Sequence, residues 1–240
     1  MQLKKYKKEF AHSYALGPFP CFELLESAPE QALEVYASPE FNDLEKLREK
    51  CAGKNIPLVV GGNALSRISE KENCYAAGVF QKYNLELRSD KPHVVLHNPA
   101  DMGNLGTILR TLLGFGIRDL AIIQPAADVF HPKVVRASMG ALFRMRFMQF
   151  ENFSEYLTTY GDKRDIFPFM LDGSKQLSLE NCPHSNSYSL VFGNEARGLP
   201  PEFSQYGTAI FIPQSPEVDS LNLAVSVAVG SFVFTTVNHK

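Results

Sequence analysis

Apolar residues fall into short runs separated by polar turns, and the period of each run distinguishes strand from helix. In the first third of the chain, Ala32–Ala37, Ile56–Val60 and Tyr75–Phe80 read as strands. A short helix, Cys21–Glu26, is expected after the rigid Pro18-Phe19-Pro20. Phe41–Cys51 carries Leu44, Leu47 and Cys51 on one stripe with Glu45–Glu49 facing water, and a further helical piece lies near Leu65–Ser69. Residues 1–82 thus form a small α/β unit without a cluster of catalytic side chains, and the charged stretch 83–92, ended by Pro92, reads as a linker.

From His93 the alternation becomes regular. Val94–His97, Leu120–Ile123, Arg144–Phe150, Ile166–Leu171, Ser189–Phe192 and Ala209–Ile212 read as strands. Leu105–Phe115, Pro132–Met139 and Phe153–Tyr160 read as helices, the first with Leu105, Ile108, Leu109, Leu112 and Leu113 on one stripe. Strands alternating with helices predict βαβ units, so 93–240 is expected to hold a mostly parallel sheet with helices on both faces. Leu221–Val237 alternates like a strand but is long for one, and Asp219 or Ser220 can cap a helix. A helix there is apolar almost all round, which requires burial against its own sheet and a second subunit.

Composition narrows the class. A chain of 240 residues with 45% hydrophobic content can bury a full core. There is no apolar run long enough to span a bilayer, and the lysine-rich start MQLKKYKKEF lacks a following apolar region, so a cytoplasmic chain is expected. Cys21, Cys51, Cys74 and Cys182 are scattered and the histidines show no ligand spacing, so free thiols and no metal are expected. Net charge is −2; residues 1–92 hold 13 basic and 13 acidic side chains, and the remainder 11 and 13. Without a broad positive field, nucleic-acid contact must be local. Its candidates are Lys4, Lys5, Lys7 and Lys8, and separately Arg136, Arg144 and Arg146. Taken alone, the lysine run reads as a solvated, frayed end.

Three stretches carry candidate chemistry. Asn98–Arg110 sits at a strand end and opens an amphipathic helix, whose N-terminus favours an anion; Asn104 and Arg110 are its polar groups of interest. Arg110 lies off the apolar stripe, and a helix-capping Asn with a surface Arg is the plain alternative. Gly193-Asn194-Glu195-Ala196-Arg197-Gly198 follows an apolar strand, with Gly193 where a side chain would block a ligand and Glu195 offering a carboxylate. Ile212-Pro213 and then Ser220-Leu221-Asn222 lie at the mouth of the last helix, where a hydroxyl and an amide cap the helix or hold a substrate. Neither a dinucleotide fingerprint nor a P-loop is present.

In this order and spacing, Asn104-Leu-Gly-Thr-Ile-Leu-Arg110, Gly193-x-Glu195-x-x-Gly198, and Ile212-Pro213 followed by Ser220-Leu221-Asn222 resemble the three motifs of the SpoU/TrmH family of the SPOUT RNA methyltransferases. Arg136-Ala-Ser138-Met-Gly140-Ala141 matches as well, and the resemblance covers the chain from about His93 to its end. It implies a C-terminal trefoil knot and methyl transfer from S-adenosylmethionine to a ribose 2′-hydroxyl of RNA; the added N-terminal unit, a recognition module suited to a structured target, puts ribosomal RNA ahead of transfer RNA. It further implies a homodimer with the pocket at the subunit interface. By carry-over, Gly193, Ile212 and Leu221 contact the cofactor, while Asn104, Arg110, Glu195, Ser220 and Asn222 form the reaction and RNA side. The N-terminal unit resembles the family's substrate-binding domain, akin to RNA-binding ribosomal proteins. Two features depart from the pattern: Ala196 stands where the family has Gly, and Gln214-Ser215-Pro216 replaces a run containing Met and Gly. These departures motivate the alternative of a non-catalytic RNA-binding or ribosome-assembly factor. Base methylation by a related knotted enzyme is a third reading, which Asn104, Arg110 and Ser220-Leu221-Asn222 disfavour.

Overall fold

The computed structural model describes residues 3–61, 63–69, 74–162 and 164–238. In chain order its first elements are β1 (His12–Leu16), α1 (Pro18–Ser27), β2 (Ala32–Ala37), α2 (Leu44–Ala52), β3 (Leu58–Val60), α3 (Ala64–Ile68) and β4 (Ala76–Gln81). Then come β5 (His93–His97), α4 (Met102–Gly114), β6 (Asp119–Ile123), α5 (Pro132–Ala137), β7 (Arg146–Phe150) and α6 (Phe153–Tyr160). The last are β8 (Asp165–Pro168), β9 (Lys175–Gln176), β10 (Tyr188–Phe192), β11 (Ile210–Phe211) and α7 (Leu223–Asn238).

Two compact units result. The first runs to Tyr83 and takes in Asp128–Arg144; the second holds Asn84–Ala127 and the chain from Met145 onward. In the first, a four-stranded sheet has the order β1-β4-β2-β3, antiparallel except for the parallel β2–β3 pair. On one side Cys21, Leu25, Leu47 and Cys51 of α1 and α2 pack on Val35 and Ala37; on the other Tyr14, Tyr36, Ala77 and Val79 meet Leu3 and Ile68. All four cysteines are free thiols.

Residues 128–144 depart from the sequence pattern, which expects α5 among the helices of the parallel sheet. Here α5 packs on β1. Ser13, fully buried, donates to the Phe130 carbonyl, Tyr83 Oη donates to the Leu142 carbonyl at 3.1 Å, and Phe80 packs against Phe130 and Phe143. Gly140, at φ +77°, closes this packing: a Cβ there would lie 2.4 Å from the Glu23 side chain. Strand β1 escaped sequence reading because His12-Ser13-Tyr14-Ala15-Leu16 hides a buried polar residue inside a five-residue run.

The second unit holds the parallel sheet, in the order β7-β6-β5-β10-β8, every neighbouring pair parallel. Val95, Ala121, Ile123 and Val191 face α6 through Phe153 and Tyr156. Alternation puts Phe192 on the opposite face. There it meets α7, which packs on α4; a Cβ at Gly230 would come within 3.0 Å of the Phe192 ring. Helices therefore cover both faces, as expected.

One strand moves. Ala209–Ile212 was expected in the main sheet, but β11 pairs with β9 in a separate two-stranded sheet. The chain reaches it across the open side of β8: Thr208 N donates to the Ile166 carbonyl at 3.1 Å, and Met170 N to the Ile210 carbonyl at 2.9 Å. Gly207 permits that crossing, since a Cβ there would lie 2.0 Å from the Ile166 oxygen. The last helix forms where its apolar content predicts, with one correction: Asn222 caps it, not Asp219 or Ser220.

Candidate functional site

The carboxyl ends of β5, β8 and β10 open on one edge of the second unit, where open parallel sheets bind ligands. Loops after β8, β10 and β11 enclose a cavity of about 410 Å³ there. That is the size of a small-molecule site. Its walls include Gly193, Ile212 and Leu221, the three residues expected to meet a cofactor, together with Glu195 and Ser220. Leu199, Ile210 and Leu223 supply aliphatic surface, and Ala196 and Gln214, the two departures from the motif pattern, also face it.

Gly193 has a different reason from the one its position predicts. An added Cβ would lie 2.1 Å from the Gly198 carbonyl carbon and 2.3 Å from the Leu199 nitrogen. The residue must be glycine so that its own loop can fold back, before any ligand is considered. Asn194 and Gly198 exchange backbone hydrogen bonds at 3.2 and 2.9 Å. The Asn194 side chain completes the turn: Oδ1 accepts from Ala196 N at 3.0 Å, and Nδ2 donates to the Asn98 carbonyl at 2.8 Å.

Asn104, Glu195 and Asn222 come together beside this cavity. Asp101 caps α4 by accepting from Asn104 N at 2.7 Å, which frees the Asn104 side chain from the capping role considered for it. Asn104 Nδ2 then donates to Glu195 Oε1 at 3.3 Å, and Asn104 Oδ1 accepts from Asn222 Nδ2 at 3.0 Å. Asn222 Oδ1 in turn accepts from Ala224 N at 2.8 Å, the first turn of α7. One chain of amides and a carboxylate thus links the N-terminus of α4, the β10 loop and the N-terminus of α7.

The Glu195 carboxylate is the anchor of that chain. Its oxygens accept from Ala100 N and Asp101 N at 3.0 Å each, at the start of α4, where the helix dipole favours an anion. Burial acts to raise its pKa, but the donors from Ala100, its own N–H, Asp101 and Asn104 outweigh that, and the group is held below the usual Glu range. It is a fixed anion that ties two loops together.

Arg110 stands apart. It is exposed on α4, does not line the cavity, and makes no hydrogen bond or ion pair among the described residues. Six residues along a helix amount to about 9 Å of rise and a turn onto another face, so Arg110 and Asn104 leave α4 in different directions. Lys4, Lys5, Lys7, Lys8 and Arg136 are exposed on the first unit.

Sequence reading missed Phe169, Met170, Leu171 and Asp172, which form the cavity wall after β8. Their strand-like run continued Ile166–Phe167 without a break signal. The structural cue is Gly173, where a Cβ would lie 2.6 Å from the Ile210 carbonyl carbon. Asn194 was legible, since an Asn two residues before a chain reversal is a turn former.

A parallel α/β unit with a cavity at its strand ends, walled by glycine-dependent loops, defines a class of ligand-binding α/β protein. Residues 91–232, more than half of the chain, match the SpoU rRNA Methylase family, and the protein belongs to that family. Among its relatives, an uncharacterized tRNA/rRNA methyltransferase of Synechocystis sp. is 29% identical over 178 residues, covering 71% of this chain and 64% of the relative. The 23S rRNA (guanosine(2553)-2'-O)-methyltransferase RlmP of Bacillus subtilis is 25% identical, covering 70% of this chain and 67% of that protein. Matches to the first curated relatives thus span from 25% to 67% of their lengths. Among solved structures, an RNA methyltransferase of the TrmH family from Porphyromonas gingivalis superposes with a TM-score of 0.78 at 28% identity, covering 93% of this chain and 89% of its own. An AdoMet-bound rRNA methyltransferase from Sinorhizobium meliloti shares the fold, with a TM-score of 0.79 at 23% identity over 94% and 87% of the two chains. No helix among the described residues is long and apolar enough to cross a membrane. No metal-holding cluster of His, Cys, Asp and Glu occurs among them either.

Proposed function

We propose that this protein transfers a methyl group from S-adenosylmethionine to a ribose 2′-hydroxyl of structured RNA, ribosomal RNA in first place. The observation that carries the reading is the convergence of Asn104 with the second and third motifs on one edge of the parallel sheet. Gly193, Ile212 and Leu221 line the cavity, and Asn104, Glu195 and Asn222 form one hydrogen-bonded chain beside it. A volume of about 410 Å³ with aliphatic walls and loop backbone at its mouth fits a nucleoside-sized ligand. S-adenosylmethionine supplies an electrophilic methyl on a sulfonium.

The residues act mainly by position, since holding a hydroxyl in line with the methyl removes much of the entropic barrier. Gly193, Ile212 and Leu221 seat the cofactor. Glu195 and Asn104 fix the loop that orients it, and Asn222 carries that alignment to α7; Ser220 offers the hydroxyl nearest the incoming RNA. Arg110 is always a cation, so it does not take the proton. It pairs with the phosphate beside the target ribose and stabilises charge developing on the 2′-oxygen. Its exposed position off the cavity supports a homodimer in which it crosses the subunit boundary. Exposed Val225 and Phe232 on α7 fit such an interface. The reading includes a trefoil knot in the chain that builds the cavity, and it assigns residues 1–82 to RNA substrate binding.

Titration calorimetry with S-adenosylmethionine, followed by mapping of 2′-O-methyl sites in total RNA with and without the protein, tests the proposal. Cofactor binding and a new 2′-O-methyl site are expected. Intact RNA binding with no cofactor binding would instead favour a non-catalytic RNA-binding or assembly factor, for which the altered loops at Ala196 and Gln214-Ser215-Pro216 are the motive.

A further inference from the structure

Charge is distributed unevenly around the cavity of the second unit. Four of the described residues that line it are charged: Asp172 after β8, Glu195 and Arg197 after β10, and Asp219 ahead of α7. Three carboxylates thus share with one guanidinium a wall that is otherwise neutral.

The three carboxylates are not equivalent. Glu195 is compensated within the protein, since Ala100 N, Asp101 N and Asn104 Nδ2 donate to it at the start of α4. Asp172 and Asp219 are exposed, and neither side chain makes a hydrogen bond or ion pair among the described residues. Asp219 is tied into its loop through the backbone: its carbonyl accepts from Gln214 Nε2 at 3.4 Å, which leaves the carboxylate unengaged. Asp172 sits in the turn where Gly173 N donates to the Met170 carbonyl at 3.2 Å. Arg197 is held in the same manner, its N–H donating to Asn194 Oδ1 at 3.3 Å, and its guanidinium has no partner among the described residues. A carboxylate without protein donors leaves its field for whatever enters the cavity.

Two adenosyl ligands of nearly the same shape differ in the charge that this field acts on. Methyl transfer breaks the S–C bond, leaves its electron pair on sulfur and joins the methyl to the ribose oxygen, whose proton passes to solvent. A sulfonium cation becomes a neutral thioether, while the adenosyl and amino-acid parts are unchanged. We infer that Asp172 and Asp219 make the cavity select by charge, favouring the cationic methyl donor over its neutral product, S-adenosylhomocysteine. The inference rests on the cofactor reading above and extends it to product release, because the attraction weakens as the sulfonium charge disappears. The same two side chains disfavour anionic nucleotides of similar size. At an exposed mouth each charge is screened, so the effect is about threefold in affinity per carboxylate.

The test is titration calorimetry of the full chain at ~50 mM salt with S-adenosylmethionine, S-adenosylhomocysteine and sinefungin. Sinefungin carries an ammonium-bearing carbon in place of the sulfur and its methyl, so it keeps the charge and cannot react. Asp172→Asn combined with Asp219→Asn should weaken S-adenosylmethionine and sinefungin by about tenfold and leave S-adenosylhomocysteine within about twofold. Retained S-adenosylhomocysteine binding also shows that the cavity is intact. Arg197→Gln should move the preference the opposite way by about threefold, since the amino-acid end common to all these ligands cancels in the ratio. Raising salt to ~500 mM should shrink the wild-type preference. Equal loss of all three ligands in the double variant would reduce Asp172 and Asp219 to wall residues and overturn the inference. Unchanged affinity for all three would overturn it too, as would loss of S-adenosylmethionine with sinefungin retained. A wild-type chain that binds none of the three would overturn the cofactor reading itself, and this inference with it.

Discussion

The two ends of the parallel sheet each carry a polar network built around a carboxylate, and the two are of opposite exposure. At the amino ends, Ser189, His93 and Asp119 lie side by side in register on β10, β5 and β6, all fully buried. Tyr156 Oη and His93 Nδ1 are 2.9 Å apart, Ser189 Oγ and Tyr156 Oη 2.6 Å, and His93 Nε2 faces the Arg88 carbonyl at 2.9 Å. Asp119 accepts from Arg88 N, Nε and Nη2 at 2.9, 3.0 and 2.6 Å. At the carboxyl ends, Asn222, Asn104 and Glu195 form a chain of the same kind, but around a cavity open to solvent. The buried network is satisfied largely from within and locks the strands. The open one leaves room for a partner. Burial separates the closed end from the end that can take a ligand.

The largest effect that would sharpen this contrast is on activity. Arg110→Ala should lower methyl transfer by about 100-fold or more while leaving stability within roughly 0.5 kcal/mol. Single-turnover methylation with a matched thermal melt checks both; a variant of full activity would remove the role assigned to Arg110.

At the opposite end the effect should be on folding. Below a pH of about 6.5 an unfolded histidine gains a proton. Folded His93 resists that because it is buried and because the Arg164 guanidinium lies beside it, which lowers its pKa to about 4. The unfolded state therefore binds more protons in that interval, and stability falls as pH drops from about 6.5 to about 4, by up to about 3 kcal/mol. Urea midpoints measured across this range should show the slope, and His93→Gln should flatten it. A wild-type midpoint independent of pH would contradict the buried neutral histidine.

Asp119→Ala removes three donors' acceptor and should cost about 2–3 kcal/mol by chemical denaturation, with activity per folded molecule retained. Reduced activity in the folded variant would blur the division between the two ends. Glu195→Gln at the cavity edge should cost less, about 1–2 kcal/mol, because the amide keeps one acceptor oxygen for the α4 amides and turns an NH2 donor towards the other. Its signature is weaker S-adenosylmethionine binding by calorimetry, and equal affinity would break its assignment as the group that sets the loop. Asn222→Ala should be the smallest of these, roughly 1 kcal/mol for the lost cap of α7, read from the same melts.

Much of this molecule is legible in its sequence. Periodicity placed the parallel-sheet strands β5, β6 and β10 and the helices α4 and α6 to within a few residues, because each buries a face set by its own local spacing. The order of Asn104, Arg110, Gly193, Glu195, Ser220 and Asn222 identified the family, since motif spacing is a property of the chain alone. The tertiary structure decided what depends on contacts between distant segments. It moved β11 out of the main sheet, put residues 128–144 with the N-terminal unit, and added Phe169–Asp172 to the cavity. It made Gly193 a requirement of its own loop, and Glu195 an anchored anion with its lone pairs already engaged. It also tied down the N-terminal segment through Tyr6 and Asp128, residues separated by more than a hundred positions. Local spacing is written in the order of residues. A hydrogen bond between segments that far apart is settled only when the chain has folded and brought them within reach.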